Sequence, residues 1–189
     1  MANRASKGST FERKICTLLS EWWSDGARDD IFWRTAGSGA RAKVRGRKKK
    51  STAGQHGDIC ATDPIGQPLI DVFTMELKRG YNRHTIADLL DKPIGATKQE
   101  YEKWIEQAIE SHTQARSFTW MLIVQRDRRD TLVFVPDYAL DKLTIGGLYA
   151  PQMTIEFNEM RILGTTLTNF LEVLSQSKIM GLQTHRGNK

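Results

Sequence analysis

From Arg34 to Lys50 the sequence contains no acidic residue. Eight of the chain's 28 lysines and arginines lie in that stretch, which leaves 20 basic against 22 acidic residues elsewhere. The net charge of +6 is therefore a local feature set on a near-neutral body. A basic stripe of this kind points to a polyanion partner, nucleic acid first of all. A solvated basic loop or a targeting signal is the plainer reading of the same residues. Long apolar runs are also missing. None approaches the ~18 residues that span a bilayer, and the first fourteen residues have no apolar stretch of the kind found in secretory signals. A cytoplasmic protein with no membrane partner is expected. Cysteine is scarce: Cys16 and Cys60 have no metal-ligand spacing, and no cluster of histidine and cysteine suits zinc. Two buried, reduced thiols follow. There is no internal repeat.

What is present suits one globular domain. At 189 residues the chain is long enough to bury a core without staples. We take 1–176 as that domain, 36–57 as a mobile basic loop rich in glycine, and 177–189 as a polar, fraying tail. Residues 9–24 have the pattern of a helix: Phe11, Ile15, Leu18, Leu19 and Trp22 share one face. Ser9 and Glu12 have the spacing of a capping box at its start. Ile31–Thr35 reads as a short strand. Asp58–Thr62 and Leu69–Lys78 read as a hairpin around Asp63-Pro64-Ile65-Gly66. A short helix is expected at 84–92, stopped by Pro93, and a longer one at Lys98–Arg116. Phe118–Gln125 and Thr131–Val135 form a second hairpin pattern. Met153–Phe157 and Met160–Leu163 read as short strands, and Leu167–Leu174 as a helix. This order is that of an α/β (α+β) domain around a central mixed sheet flanked by helices. The five tryptophans, Trp22, Trp23, Trp33, Trp104 and Trp120, are expected in the core.

The chemistry concentrates at Glu76-Leu77-Lys78. Residues two apart on a strand share a face, so a carboxylate and an ammonium emerge together at the end of an apolar strand. In a hairpin the start of one strand lies beside the end of the other, which brings Asp58 next to Glu76. Two converging carboxylates need neutralising. Mg²⁺, or Mn²⁺, held by Asp58, Glu76 and the carbonyl of Leu77 is one solution. Lys78 would then hold the attacking water or stabilise charge on a phosphate. These are the groups that phosphodiester hydrolysis requires. A surface ion pair between Glu76 and Lys78 is the bland alternative.

Gly57-Asp58, seventeen further residues and then Glu76-Leu77-Lys78 resemble the signature of the PD-(D/E)XK nuclease superfamily. The early helix with Glu12, the Gly37-Ser38-Gly39 loop and the stretch from Trp104 to Val124 resemble the Holliday junction resolvase-like and phage-encoded members. Gly57 stands where the family name has proline. The resemblance, from Thr10 to Val135, implies the restriction-endonuclease-like αβββαβ core and a metal-dependent endodeoxyribonuclease. It further implies metal binding by Asp58 and Glu76, a catalytic Lys78, a supporting Glu12 and branched DNA as substrate, with a homodimer supplying two matched sites. Glu12 has a competing explanation in the helix cap. Arg34 and Ser38 are candidates for the scissile phosphate. Arg41, Lys43, Arg45, Arg47, Lys48, Lys49 and Lys50 are candidates for other phosphates. Gln107 and Gln114 are candidates to approach the site from the long helix, and Arg126, Arg128 and Arg129 to widen the footprint on DNA. The rivals are a site-specific or general nuclease of the same fold, a non-catalytic DNA-binding protein, and a protein that engages an acidic partner.

Overall fold

The computed structural model describes residues 4–35, 56–91, 95, 97–146 and 152–184. The basic loop falls outside them, and with it Ser38, Arg41, Lys43, Arg45, Arg47, Lys48, Lys49 and Lys50. Helix α1 (Arg4–Trp23) leads into β1 (Phe32–Arg34) and β2 (Ile59–Ala61), which pair antiparallel as a two-stranded ribbon. A 3₁₀ turn (Pro64–Gly66) and helix α2 (Gln67–Val72) then lead into β3 (Phe73–Arg79). A 3₁₀ turn at Ile86–Leu89 and helix α3 (Glu100–Ala115) follow, then β4 (Thr119–Gln125) and β5 (Thr131–Pro136). The chain continues through α4 (Leu140–Leu143), β6 (Met153–Phe157), β7 (Met160–Thr166), α5 (Leu167–Val173) and α6 (Gln176–Thr184).

The main sheet has five strands in the order β3-β4-β5-β7-β6. Only β3 and β4 run parallel; the other neighbours are antiparallel. The expected mixed sheet with flanking helices is present, and with the short α2 set aside the elements from α1 to β4 follow the order αβββαβ. Side-chain alternation along β4 divides the core. Met121 and Ile123 join Phe73, Met75 and Leu77 of β3 in a cluster covered by α1, α5 and α6. Trp120, Leu122 and Val124 join Tyr101, Trp104, Ile105 and Ala108 of α3 on the opposite face. Helix α3 starts in a capping box between Gln99 and Glu102 and ends at Arg116, whose φ of 56° is left-handed.

Four expectations fail for local reasons. The hairpin of Asp58–Thr62 with Leu69–Lys78 does not form. Asp63 accepts a hydrogen bond from Ile65 N at 3.0 Å and caps a helical turn in which Pro64 sits at the start. Pro68 then opens α2, whose Leu69 and Val72, three apart, are buried. Both prolines are helix starters rather than hairpin-turn residues, and β2 pairs with β1 instead. The tail is not frayed as far as Thr184. Helix α6 buries Ile179 completely, Gln176 Nε2 donates to Trp22 O at 2.8 Å, and Lys178 Nζ donates to Thr144 O at 2.7 Å. One buried isoleucine in a polar sequence gave too little periodicity to be seen. Finally, Trp33 is 47% exposed, because it points away from the face of the ribbon that Phe32 buries. Cys16 is buried, but Cys60, opposite Trp33 in the ribbon, is only half-buried.

Candidate active site

The site forms where the ribbon meets the free edge of β3. Gly57 and Asp58 dock directly on that strand. Asp58 N donates to Met75 O at 2.7 Å, and Thr35 N donates to Asp58 O at 2.9 Å. The Asp58 side chain completes the attachment: its Oδ2 accepts from Leu77 N at 2.8 Å. Gly57 makes the approach possible. Its φ is +76°, and a Cβ there would come within 2.7 Å of Met75 O. The position that reads as a departure from the family pattern is one where this backbone has no room for a side chain. Asp58 thus reaches Glu76 by docking from the ribbon, not across a hairpin ladder.

Glu76 is 1% exposed. Its Oε1 accepts from Ser111 Oγ at 2.8 Å, and its Oε2 accepts from Gln107 Nε2 at 2.6 Å and Lys78 Nζ at 3.3 Å. Lys78 Nζ also donates to Gln107 Oε1 at 3.1 Å. Gln107 and Ser111 lie one turn apart on α3, so a single helix face grips the β3 carboxylate. Burial, reinforced by the charge of Asp58, raises the pKa of Glu76 to about 7. Burial also raises that of Asp58, against the opposing pull of Lys78 and the Leu77 N–H.

Glu12 comes from α1. Because that helix begins at Arg4, Ser9 lies inside it and cannot cap it. The capping-box account of Glu12 therefore fails. Its carboxylate instead enters the site, 2.9 Å from Arg34 Nε. The guanidinium stands off the line of a hydrogen bond, which leaves the buried Glu12 Oε2 without a directed donor. Burial and the charge of Asp58 raise the Glu12 pKa, although Arg34 opposes them. Glu12, Asp58, Leu77, Lys78 and Gln107 line one open cavity of about 360 Å³ with Gly8, Arg79 and Tyr81.

A family model described as "Phage putative PDDEXK endonuclease" matches residues 3–181. The chain belongs to this family. No curated protein matches it. Among solved structures it is similar to Hjc, a Holliday junction resolvase from the archaeal hyperthermophile Archaeoglobus fulgidus. The two share 16% identity over 91% of this chain and 97% of that one, with a TM-score of 0.34. A likeness that loose has no bearing on the chemistry.

In this PDDEXK endonuclease the structure brings Glu12, Arg34, Asp58, Glu76, Lys78 and Gln107 together. It does not bring Gln114 there; that side chain bonds Glu110 on the exposed side of α3. Ser111 is a residue that sequence reading missed, although its spacing of four from Gln107 was the signal. Among the described residues no three carboxylate, imidazole or thiol groups stand close enough to enclose a metal ion unaided. Nor is any helix among them long and apolar enough to cross a membrane.

Proposed function

We propose that the chain is a metal-dependent endodeoxyribonuclease in which Asp58, Glu76 and Lys78 carry the hydrolysis and Glu12 supports it. The supporting observation is the convergence of two buried carboxylates on one lysine at an open cavity. The donor set suits a hard divalent cation such as Mg²⁺ or Mn²⁺: every candidate ligand is an oxygen. The electrostatics support the same reading: burial raises the pKa of Asp58 and Glu76, the charge of Asp58 adds to it at Glu76, and the buried Glu12 Oε2 lacks a directed donor, so a cation there would stabilise the ionised carboxylates. Asp58, Glu76 and the carbonyl of Leu77 would hold the ion, with Glu12 beside them. An ion held there would supply Lewis acidity toward a phosphoryl oxygen and toward the attacking water.

The remaining chemistry belongs to the side chains. Lys78 Nζ, held between Glu76 and Gln107, presents positive charge to a phosphate entering the cavity. Gln107 and Ser111 keep the Glu76 carboxylate in one orientation, so its oxygens need not reorganise during the reaction. Arg34 offsets the charge of Glu12 and leaves a cation at the entrance to the basic segment that follows it.

Branched DNA is the preferred substrate in this reading, and a homodimer would present two matched sites to a symmetric junction. Both rest on the resemblance in sequence. The test is cleavage with Mg²⁺ or Mn²⁺ of linear duplex, single-stranded, flap and four-way-junction DNA, with Glu76→Ala in parallel. Metal-dependent cutting lost in the variant supports the nuclease, and the substrate ranking decides on branching. Binding without cutting, unchanged in the variant, replaces the reading with that of a non-catalytic DNA-binding protein.

A further inference from the structure

A second concavity, of about 430 Å³, lies at the same end of the sheet as Lys78. Its walls are α1, through Lys14 and Leu18, the β4–β5 turn, through Arg129 and Thr131, and the start of α5, through Thr168 and Asn169. Helix α1 also walls the candidate active site through Gly8 and Glu12, so the two concavities flank one helix. The strand register gives their separation. Lys78 pairs with Val124, and Val124 pairs with Leu132, so the groove lies two strands from the carboxylates. That is about 10 Å, a distance one DNA strand covers in about three base steps of ~3.4 Å.

The charges of the turn are arranged to face outward. It contains two acids, Asp127 and Asp130; Asp127 is engaged by Arg79 Nη2 at 3.1 Å and by Asn82 Nδ2 at 2.8 Å. Arg79 itself lines the active-site cavity and donates to Arg126 O at 2.8 Å, tying the turn to the end of β3. With Asp127 occupied, the guanidinium groups of Arg126, Arg128 and Arg129 have no carboxylate partner among the described residues, and neither has Lys14 Nζ. Arg128 and Arg129 are exposed, as is Lys14. Arg128 has φ +59° and lies within a tight turn in which Arg129 N donates to Arg126 O at 3.3 Å. One carboxylate, Asp130, also lines the groove, so its own charge is one acid against Lys14 and Arg129. The other lining groups are mainly threonine hydroxyls and amides, donors suited to phosphate oxygens.

We propose that this groove is a second seat for DNA, binding the sugar–phosphate backbone next to the phosphate that enters the active site. The proposal rests on the nuclease reading and adds to it: Lys14 and Arg129 set affinity, while the chemistry stays with the carboxylates. The contacts read no base, so binding there is independent of sequence and sensitive to salt.

The test is the anisotropy of a fluorescein-labelled duplex in EDTA over a series of KCl concentrations, followed by cleavage kinetics with Mg²⁺. The proteins are wild type, Lys14→Ala/Arg129→Ala, Thr168→Glu, and a charge-matched control, Lys103→Ala/Arg161→Ala. The double groove variant is expected to bind about tenfold more weakly and to lower the salt slope by about 2. Thr168→Glu, which places a carboxylate in the groove without removing a cation, should weaken binding similarly. Both should raise KM and leave kcat on saturating DNA near the wild-type value, with circular-dichroism melting unchanged. Groove variants that bind like wild type, or a control that loses as much affinity as they do, would overturn the proposal while leaving a Glu76-dependent nuclease intact. A wild-type protein that neither binds nor cuts DNA would remove the nuclease reading and the groove together.

Discussion

The cavity at the end of β3 and the groove beside the β4–β5 turn share the α1 wall and one end of the sheet, yet their charges are handled in opposite ways. At the cavity Asp58 in the wall and Glu76 behind it are buried, and each is held by donors from its own chain. Desolvation raises both pKa values there. In the groove the cations of Lys14 and Arg129 are exposed and have no carboxylate partner among the described residues, which costs little in water. A buried charge is costly and needs a prearranged partner, so it marks a place built for one task. An exposed charge attracts whatever polyanion approaches. One end of a sheet can therefore combine a chemical centre with a loose backbone grip, since burial separates the two.

The largest expected effect sharpens this contrast. Glu76→Ala or Lys78→Ala should lower cleavage by about 10²–10³-fold, with kcat affected and DNA binding in EDTA preserved or tightened for Glu76→Ala. A loss confined to KM would mean that the cavity, too, serves only to bind.

Next comes pH. Because the folded protein holds the Glu76 proton more tightly than the unfolded chain, the contribution of Glu76 to metal-free stability is greatest below the ordinary carboxylate range. It declines as pH rises from about 4.5 to about 7, then levels off. Urea unfolding across that window should show the decline, Glu76→Gln should flatten it, and Mg²⁺ should oppose it in wild type only. Groove variants should keep the wild-type slope; a slope changed by Lys14→Ala would show that the two regions are electrostatically one.

A smaller effect probes the backbone. Gly57→Ala forces a side chain against Met75 O at a positive φ and should cost about 1–3 kcal/mol in chemical denaturation, with cleavage falling because Asp58 is displaced. The smallest concerns Ser111. Its alanine variant removes one hydrogen bond to Glu76 Oε1, which stabilises by about 1 kcal/mol. It should reduce kcat a few-fold and shift the acid limb of the pH–rate profile upward, since the bond favours the ionised carboxylate. An unchanged profile would confine Ser111 to packing.

Much of the fold was legible beforehand because periodicity reports burial. The alternation of Trp120 to Val124 and the repeat of Tyr101, Trp104, Ile105 and Ala108 predict a strand and a helix, and both are present. The β4–β5 hairpin and the Met153–Phe157 strand also lie where the pattern places them. Failures occurred where one residue type has two local meanings. Asp63-Pro64 serves equally as a turn and as a helix cap, and the structure uses it as a cap. Ser9 and Glu12 have capping-box spacing, but a helix that starts at Arg4 turns Glu12 toward the site. In the tail, a single buried Ile179 left no repeat to detect.

By itself the sequence determined which chemical groups this protein has and, through i and i+2 spacing on β3, that Glu76 and Lys78 share a face. It also determined the acid-free run from Arg34 to Lys50, since charge along a chain needs no fold to be read. Only the tertiary structure decided how Asp58 reaches Glu76, that Glu12 joins them, that Gln107 and Ser111 hold the carboxylate, and that Arg79 draws Asp127 away from three arginines. Each of these depends on which element docks beside which, over separations of up to 64 residues between Glu12 and Glu76. Local propensity is blind at that range, because such contacts are selected by packing and by the need of every buried charge for a partner.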